Sequence, residues 1–204
     1  VLILPSFALA WKPAGGSVEV AYWLGEMDFS GETDDMDGYG VEADVGITPR
    51  LLASVDYYPT NGGGLFNRLD TNYVAIDLKW KLLDGGEKGF LVAGLGWQST
   101  ALTVPGDRIS TKGIRVVLEG ETSLGGPFHG YARYAHLPSL DDLAPQAIDG
   151  DGSEYALGLI LDVKYFKIIA GYRVHDMSFE FTGIGPGTIE IDNAGYAAGI
   201  HWRF

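Results

Sequence analysis

GYAAGIHWRF, residues 195–204, closes the chain. Tyr196, Ala198, Ile200, Trp202 and Phe204 recur at every second position, with Gly195, Ala197, Gly199, His201 and Arg203 between them. A two-residue repeat is that of a β-strand, whose successive side chains point to opposite faces. One face is therefore wholly apolar and ends in an aromatic residue, while the other carries glycine, alanine and two polar side chains. A soluble sheet would turn the apolar face to a core. What the rest of the chain offers that face decides the fold.

The same repeat runs back along the sequence, broken by turn residues. Val18, Val20, Tyr22 and Leu24 alternate with Glu19, Ala21, Trp23 and Gly25; Tyr39, Val41, Ala43, Val45 and Ile47 alternate with Gly40, Glu42, Asp44 and Gly46. Leu51 to Tyr57, Val74 to Leu82 and Leu91 to Trp97 follow, each with one greasy face. Ile114 to Leu118 lies opposite Arg115, Glu119 and Glu121, and Phe128 to Tyr134 lies opposite His129 and Arg133. Tyr155 to Val163 and Phe166 to Val174 precede the closing strand, the latter with Lys167, Arg173 and His175 on its second face. Ten strands result; eight would require two of the clearer turns to be wrong.

Ten amphipathic strands with no helix to cover them pose a burial problem. In a soluble sandwich or lipocalin-like barrel the greasy faces would point inward. Here the second face is rich in glycine and alanine as well as charge, as a crowded lumen demands, and the greasy face runs to the strand ends and finishes in aromatics. The chain is long enough for one domain, and its 204 residues are 46% hydrophobic with no cysteine. The longest apolar run, VLILPSFALAW at the start, is interrupted by Pro5 and too short to cross a bilayer as a helix. Ala8-Leu9-Ala10 has the small-x-small form of a signal-cleavage site, so residues 1–10 read as a signal-peptide remnant and 11–204 as the barrel domain. An ordinary N-terminal strand or apolar arm is the alternative.

Connections alternate in length. Thr48-Pro49-Arg50, Leu83 to Gly89, Gly125-Gly126-Pro127 and the residues around Tyr165 are short. Those near Glu26 to Gly38, Pro59 to Asp70, Thr100 to Lys112, Pro138 to Gly152 and Met177 to Ile191 are long. Short and long connections fall on opposite ends, the pattern of an outer-membrane barrel with short periplasmic turns and long external loops.

From residue 16 onward the chain therefore resembles the small single-chain outer-membrane β-barrels of the OmpA, OmpX and OmpW kind. It differs from them in strand count, since they have eight. The expected fold is an all-β, transmembrane, antiparallel up-and-down barrel, integral to the outer membrane and in contact with its lipid. The resemblance implies that Phe204, with Trp202 and Tyr196 behind it, is the assembly signal read by the barrel-assembly machinery. A monomer is expected.

The formal net charge is −13. Inward positions nearly balance, while the external connections hold acids such as Glu32, Asp34, Asp35, Asp37, Asp149 and Asp151 against only Arg68, Arg108 and Lys112. A near-neutral lumen is read as a salt-bridge plug, with Arg115 or Arg133 facing Glu119 or Glu121 and Arg173 a further member, because ten strands enclose little more than side-chain volume. A narrow channel or a conduit for small apolar molecules is the alternative. The external acids serve as solvated surface or bind a divalent cation such as calcium. Asp149-Gly150-Asp151-Gly152-Ser153 opens like a calcium loop, although its twelfth position is Ile160, and Asp34, Asp35 and Asp37 form a second cluster.

Catalysis is not expected. A rim-located protease of the omptin kind has candidates in His175-Asp176 and Asp141-Asp142, and a lipid-modifying enzyme in His136 and Ser139, but no paired-acid or Asp-x-His spacing of the omptin family appears. An acidic chain without a basic stripe excludes nucleic acid as a partner. The functional expectation is a structural, surface-display or adhesive barrel.

Overall fold

The computed structural model describes residues 15–29, 31–62, 70–104, 107–141, 147–181 and 187–204; the signal-remnant segment 1–10 lies outside them. Ten strands form in chain order: β1 (Gly16–Phe29), β2 (Glu32–Gly46), β3 (Leu51–Gly62), β4 (Asp70–Asp84), β5 (Gly89–Val104), β6 (Asp107–Gly125), β7 (Phe128–Leu140), β8 (Ala147–Val163), β9 (Phe166–Phe181) and β10 (Gly187–Arg203). Each pairs antiparallel with its sequence neighbours, and β1 pairs with β10, so the sheet closes. Closure leaves no unpaired edge along the wall.

The closing residues seal the seam. Val18 lies opposite Trp202, Val20 opposite Ile200 and Leu24 opposite Tyr196. The Gly16 N–H donates to the Phe204 carbonyl at 2.9 Å, and the Phe204 N–H donates to the Gly16 carbonyl at 3.0 Å. A side chain on Gly16 would meet the Asp44 backbone carbonyl and the Phe204 ring, which favours glycine there. The short turns gather at this end of the barrel. Between β6 and β7 the two-residue reversal is Gly126-Pro127; Gly125, which ends β6, and Gly126 have φ of 117° and 58°, which side chains oppose, so glycine occupies both positions.

Over the lower part of the wall the apolar residues point outward. Val20, Leu24, Leu78, Leu95, Leu118, Leu157 and Leu159 are exposed, bordered by Tyr39, Tyr134, Tyr155, Tyr172 and Tyr196 toward one end and Trp80, Phe128, Trp202 and Phe204 toward the other. So continuous an apolar surface is stable only against hydrocarbon, and its aromatic borders suit the two interfaces.

Four of the five expected long loops are mostly strand, and in the fifth, Pro59 to Asp70, the described residues are strand. β1 and β2 continue to Phe29 and from Glu32, and β5 and β6 to Val104 and from Asp107. The alternation inverts phase on crossing the tyrosine border. On β1 the outward residues become Glu26 and Asp28 while Met27 turns in; on β9 Asp176 turns out while Met177 and Phe179 turn in. Below the border hydrocarbon bathes the outer face; above it water does, and the lumen takes the apolar residues. A reading that followed one greasy phase therefore ended the strands where the phase reversed.

Candidate functional site

The lumen is built in layers. Arg133 on β7 reaches across the barrel to Glu42 on β2, five strands away, and also pairs with Asp56 and Glu119 at 3.1 Å each. Lys79 on β4 joins Glu119 at 2.8 Å and Glu42 and Asp44 at 3.6 Å each. Register sets the neighbours: Glu42 lies opposite Asp56, and Glu119 opposite Arg133. Beside this group Arg115 pairs with Asp77 at 3.2 Å and Glu154 at 3.3 Å, and Arg173 meets Glu154 at 2.6 Å. The Tyr73 hydroxyl donates to Glu154 at 2.7 Å and accepts from Arg115. Toward the turn end, Lys167 and Arg203 share Glu121 at 2.6 and 3.6 Å.

The expected pair of Arg133 with Glu119 is present. Arg115 pairs instead with Asp77 and Glu154, and Glu121 serves Lys167, Arg203 and His129. The sequence marks all of these as inward-facing by alternation, but partners separated by several strands depend on how the barrel closes, and no local pattern encodes that.

Aromatic rings fill the space over inward glycines. A side chain on Gly40 would strike the Tyr58 ring, and one on Gly158 the Tyr131 ring. The Arg173 guanidinium stacks 4.1 Å from the Tyr58 ring centre and 5.2 Å from that of Tyr73. Above this layer Met27, Met36, Leu102, Leu137, Leu140, Ala147, Met177, Phe179 and Ile191 pack into a buried apolar cork. Below it a cavity of about 530 Å³ runs to the turn end, its mouth formed by Gly15, Gly16, Lys81, Gly86 and Arg203 and its far end by Trp23, Tyr58 and Arg173. The lumen is thus a blind vestibule.

The external carboxylates do not converge. Strand alternation turns Asp34 inward, buried, and leaves Asp35 and Asp37 outward, where Asp37 accepts from the Tyr22 hydroxyl at 2.8 Å. Asp149 is exposed with φ of 48° at a β8 irregularity, and Asp151 accepts from Ser178 at 2.6 Å. Among the described residues no group of three or more Asp, Glu or His could hold a metal ion.

Outward on the extension, Asp28, Asp192 and Asp176 stand in one cross-strand row. Burial, then Asp192, pushes the Asp176 carboxyl above its ordinary range; burial, then Glu190 and Asp28, does the same to Asp192. His175 and Asp176 point to opposite sides of the wall, His175 into the lumen. His136 and Ser139 are both exposed, Asp141 pairs with Lys112 at 3.7 Å, and Asp142 lies outside the described residues.

No sequence profile of a known protein family matches the chain, nor does any curated protein sequence. Solved structures do. The outer membrane protease OmpT from Escherichia coli is 11% identical, with 98% of this chain and 100% of that one covered and a TM-score of 0.64. Neisserial surface protein A is 12% identical, with 95% and 99% covered and a TM-score of 0.51. This is the outer-membrane β-barrel fold. In that fold the short turns face the periplasm and the longer hairpins the outside. The vestibule of this outer-membrane barrel thus opens to the periplasm, and its cork and acidic extension lie on the external side.

Proposed function

We propose that this chain is a non-conducting, non-catalytic outer-membrane barrel, a monomer whose role is structural, display or adhesion and is carried by the extended external hairpins. The observation that carries this reading is the double closure of the lumen, an apolar cork of Met27, Met36, Leu102, Phe179 and their neighbours above the Arg133 and Lys79 ion-pair layer. A hydrated ion meets no continuous polar path through apolar packing, and the charges beneath are engaged with one another. The same closure argues against a conduit for small apolar molecules, because the cork ends on buried charge. The terminal residues Phe204, Trp202 and Tyr196 are proposed as the assembly signal.

Single-channel recording in planar bilayers tests the reading. The unaltered chain is expected to give no stepwise current, and Leu102→Ala with Phe179→Ala, which loosens the cork, combined with Arg133→Ala, which opens the layer beneath it, is expected to leak. Steady unitary conductance from the unaltered chain would overturn it.

A further inference from the structure

The outer wall of the barrel is not uniformly clothed in side chains. On β6 and β7, within the apolar band and toward the turn end, Gly120, Gly130 and Ala132 face outward; Gly120 lies opposite Ala132, and Gly130 opposite Thr122. They floor a groove of about 910 Å³ whose sides are Leu83, Leu91, Leu118 and Leu157, with Tyr134 and Tyr155 at its upper end.

Nothing within the protein requires glycine at Gly130. Neither Gly120 nor Gly130 has a positive φ, and the pairing of β6 with β5 and of β7 with β8 runs unbroken past them. A side chain on Gly130 would meet only Leu124 carbons, between 3.6 and 3.8 Å away, which is ordinary contact; one on the inward Gly40 or Gly158 would strike a tyrosine ring. Gly120 is tighter, with the Phe90 carbonyl oxygen at 3.2 Å. A glycine inside a strand weakens it, and where no bulge or bend asks for it, it marks the close approach of another molecule.

The turn end of the groove carries a charge. Lys88 closes the 3-10 turn between β4 and β5 and borders the groove. Its neighbour Gly89 lies opposite Thr122, which lies opposite Gly130, so Lys88 stands at the periplasmic end of the apolar floor. Asp84 in the same turn pairs with Lys81, and among the described residues no carboxylate pairs with Lys88. The groove is continuous with a face that meets hydrocarbon, so its occupant comes from the bilayer, and a lysine at the level of the headgroups matches a phosphate.

We propose that this groove holds one acyl chain of a glycerophospholipid of the periplasmic leaflet, with its phosphate at Lys88. The site lies on the outer wall and is independent of whether the lumen conducts.

Native mass spectrometry of the full chain, released from detergent micelles and titrated with dioleoyl phosphatidylglycerol, tests the site. One tightly retained lipid per chain is expected. Gly130→Leu with Ala132→Leu fills the groove where the wall has room for side chains, and is expected to weaken that first lipid at least about tenfold. Ala198→Leu, which adds bulk on the exposed apolar face of β10, should leave it unchanged. Lys88→Gln should weaken phosphatidylglycerol about threefold and leave dioleoylglycerol, which has no phosphate, unaffected. Heat-modifiable gel migration confirms the barrel in each variant. The proposal would be overturned by the absence of a retained lipid, by retention that the groove variant leaves unaltered or that Ala198→Leu lowers as much, or by a Lys88→Gln variant that does not separate the two lipids. A dimer of the unaltered chain that the groove variant dissociates would overturn it too, since a second copy would then occupy the groove.

Discussion

Arg133 shows what a single residue does in this lumen. Its guanidinium is nearly buried and engages Glu42, Asp56 and Glu119, side chains from three other strands. Removing it leaves carboxylates in a low-dielectric interior with Lys79 as the remaining nearby cation. Breaking a buried ion pair from one side costs roughly 3–5 kcal/mol. Arg133→Met is therefore expected to lower barrel stability by about that amount, measured by urea unfolding in lipid vesicles. The combination of Arg133→Met with Glu42→Gln and Asp56→Asn should recover a large part of it, since the stranded charges go too. A loss under about 1 kcal/mol in the single variant would mean that the carboxylates are solvated or protonated and that the layer is not held by Arg133.

At the scale of the element, β9 and β10 carry the acidic row of the external extension. Asp176 and Asp192 face each other outside the apolar band and are both pushed above the ordinary carboxylate range. The unfolded chain releases these protons near pH 3.9, whereas the folded chain holds them to higher pH. Folding thus takes up protons between the two values, and the cost of charging the folded pair is fully present above the raised values. It falls away as pH drops through them toward 3.9. Protection of the β9–β10 hairpin amides in hydrogen exchange, corrected for intrinsic rates, is expected to rise on acidification through that window. Asp192→Asn should raise protection at neutral pH by roughly 0.2–1 kcal/mol, the scale of a like-charge cross-strand pair, and flatten the pH response. A variant as pH-sensitive as the parent would show that the row does not set the stability of the hairpin.

For the whole molecule, the phase inversion predicts a reversal of environment along each wall strand. Spin labels at Val20, Leu78, Leu95 and Leu159, exposed on the apolar band, should be relaxed by oxygen dissolved in lipid. Labels at Asp28 and Asp35, on the outer face above the border, should respond to an aqueous nickel chelate, and one at Leu102 in the cork to neither. Water accessibility at Leu78 and Leu159 would exclude a membrane-spanning band. The inverted arrangement makes one sheet serve two solvents. Its lower part holds charge inside and hydrocarbon outside, and its upper part is an ordinary water-facing barrel with an apolar core.

Strand number and register phase follow from the sequence alone, because each β-strand shows its two faces locally at every second residue and most of the short turns carry glycine or proline. The Tyr196 to Phe204 repeat is the clearest case, and closure by pairing with Val18 to Leu24 completes it. Inward placement of Arg115, Glu119, Arg133 and Arg173 was equally legible. Which carboxylate each base meets was not, since Arg133 and Glu42 are 91 residues apart and on opposite walls. The cork was hidden as well: Met27, Met36 and Phe179 occupy the phase that reads as polar face lower in the same strands. Alternation states that two faces differ; only the closed barrel and the height of the lipid around it decide which face is buried, and against what.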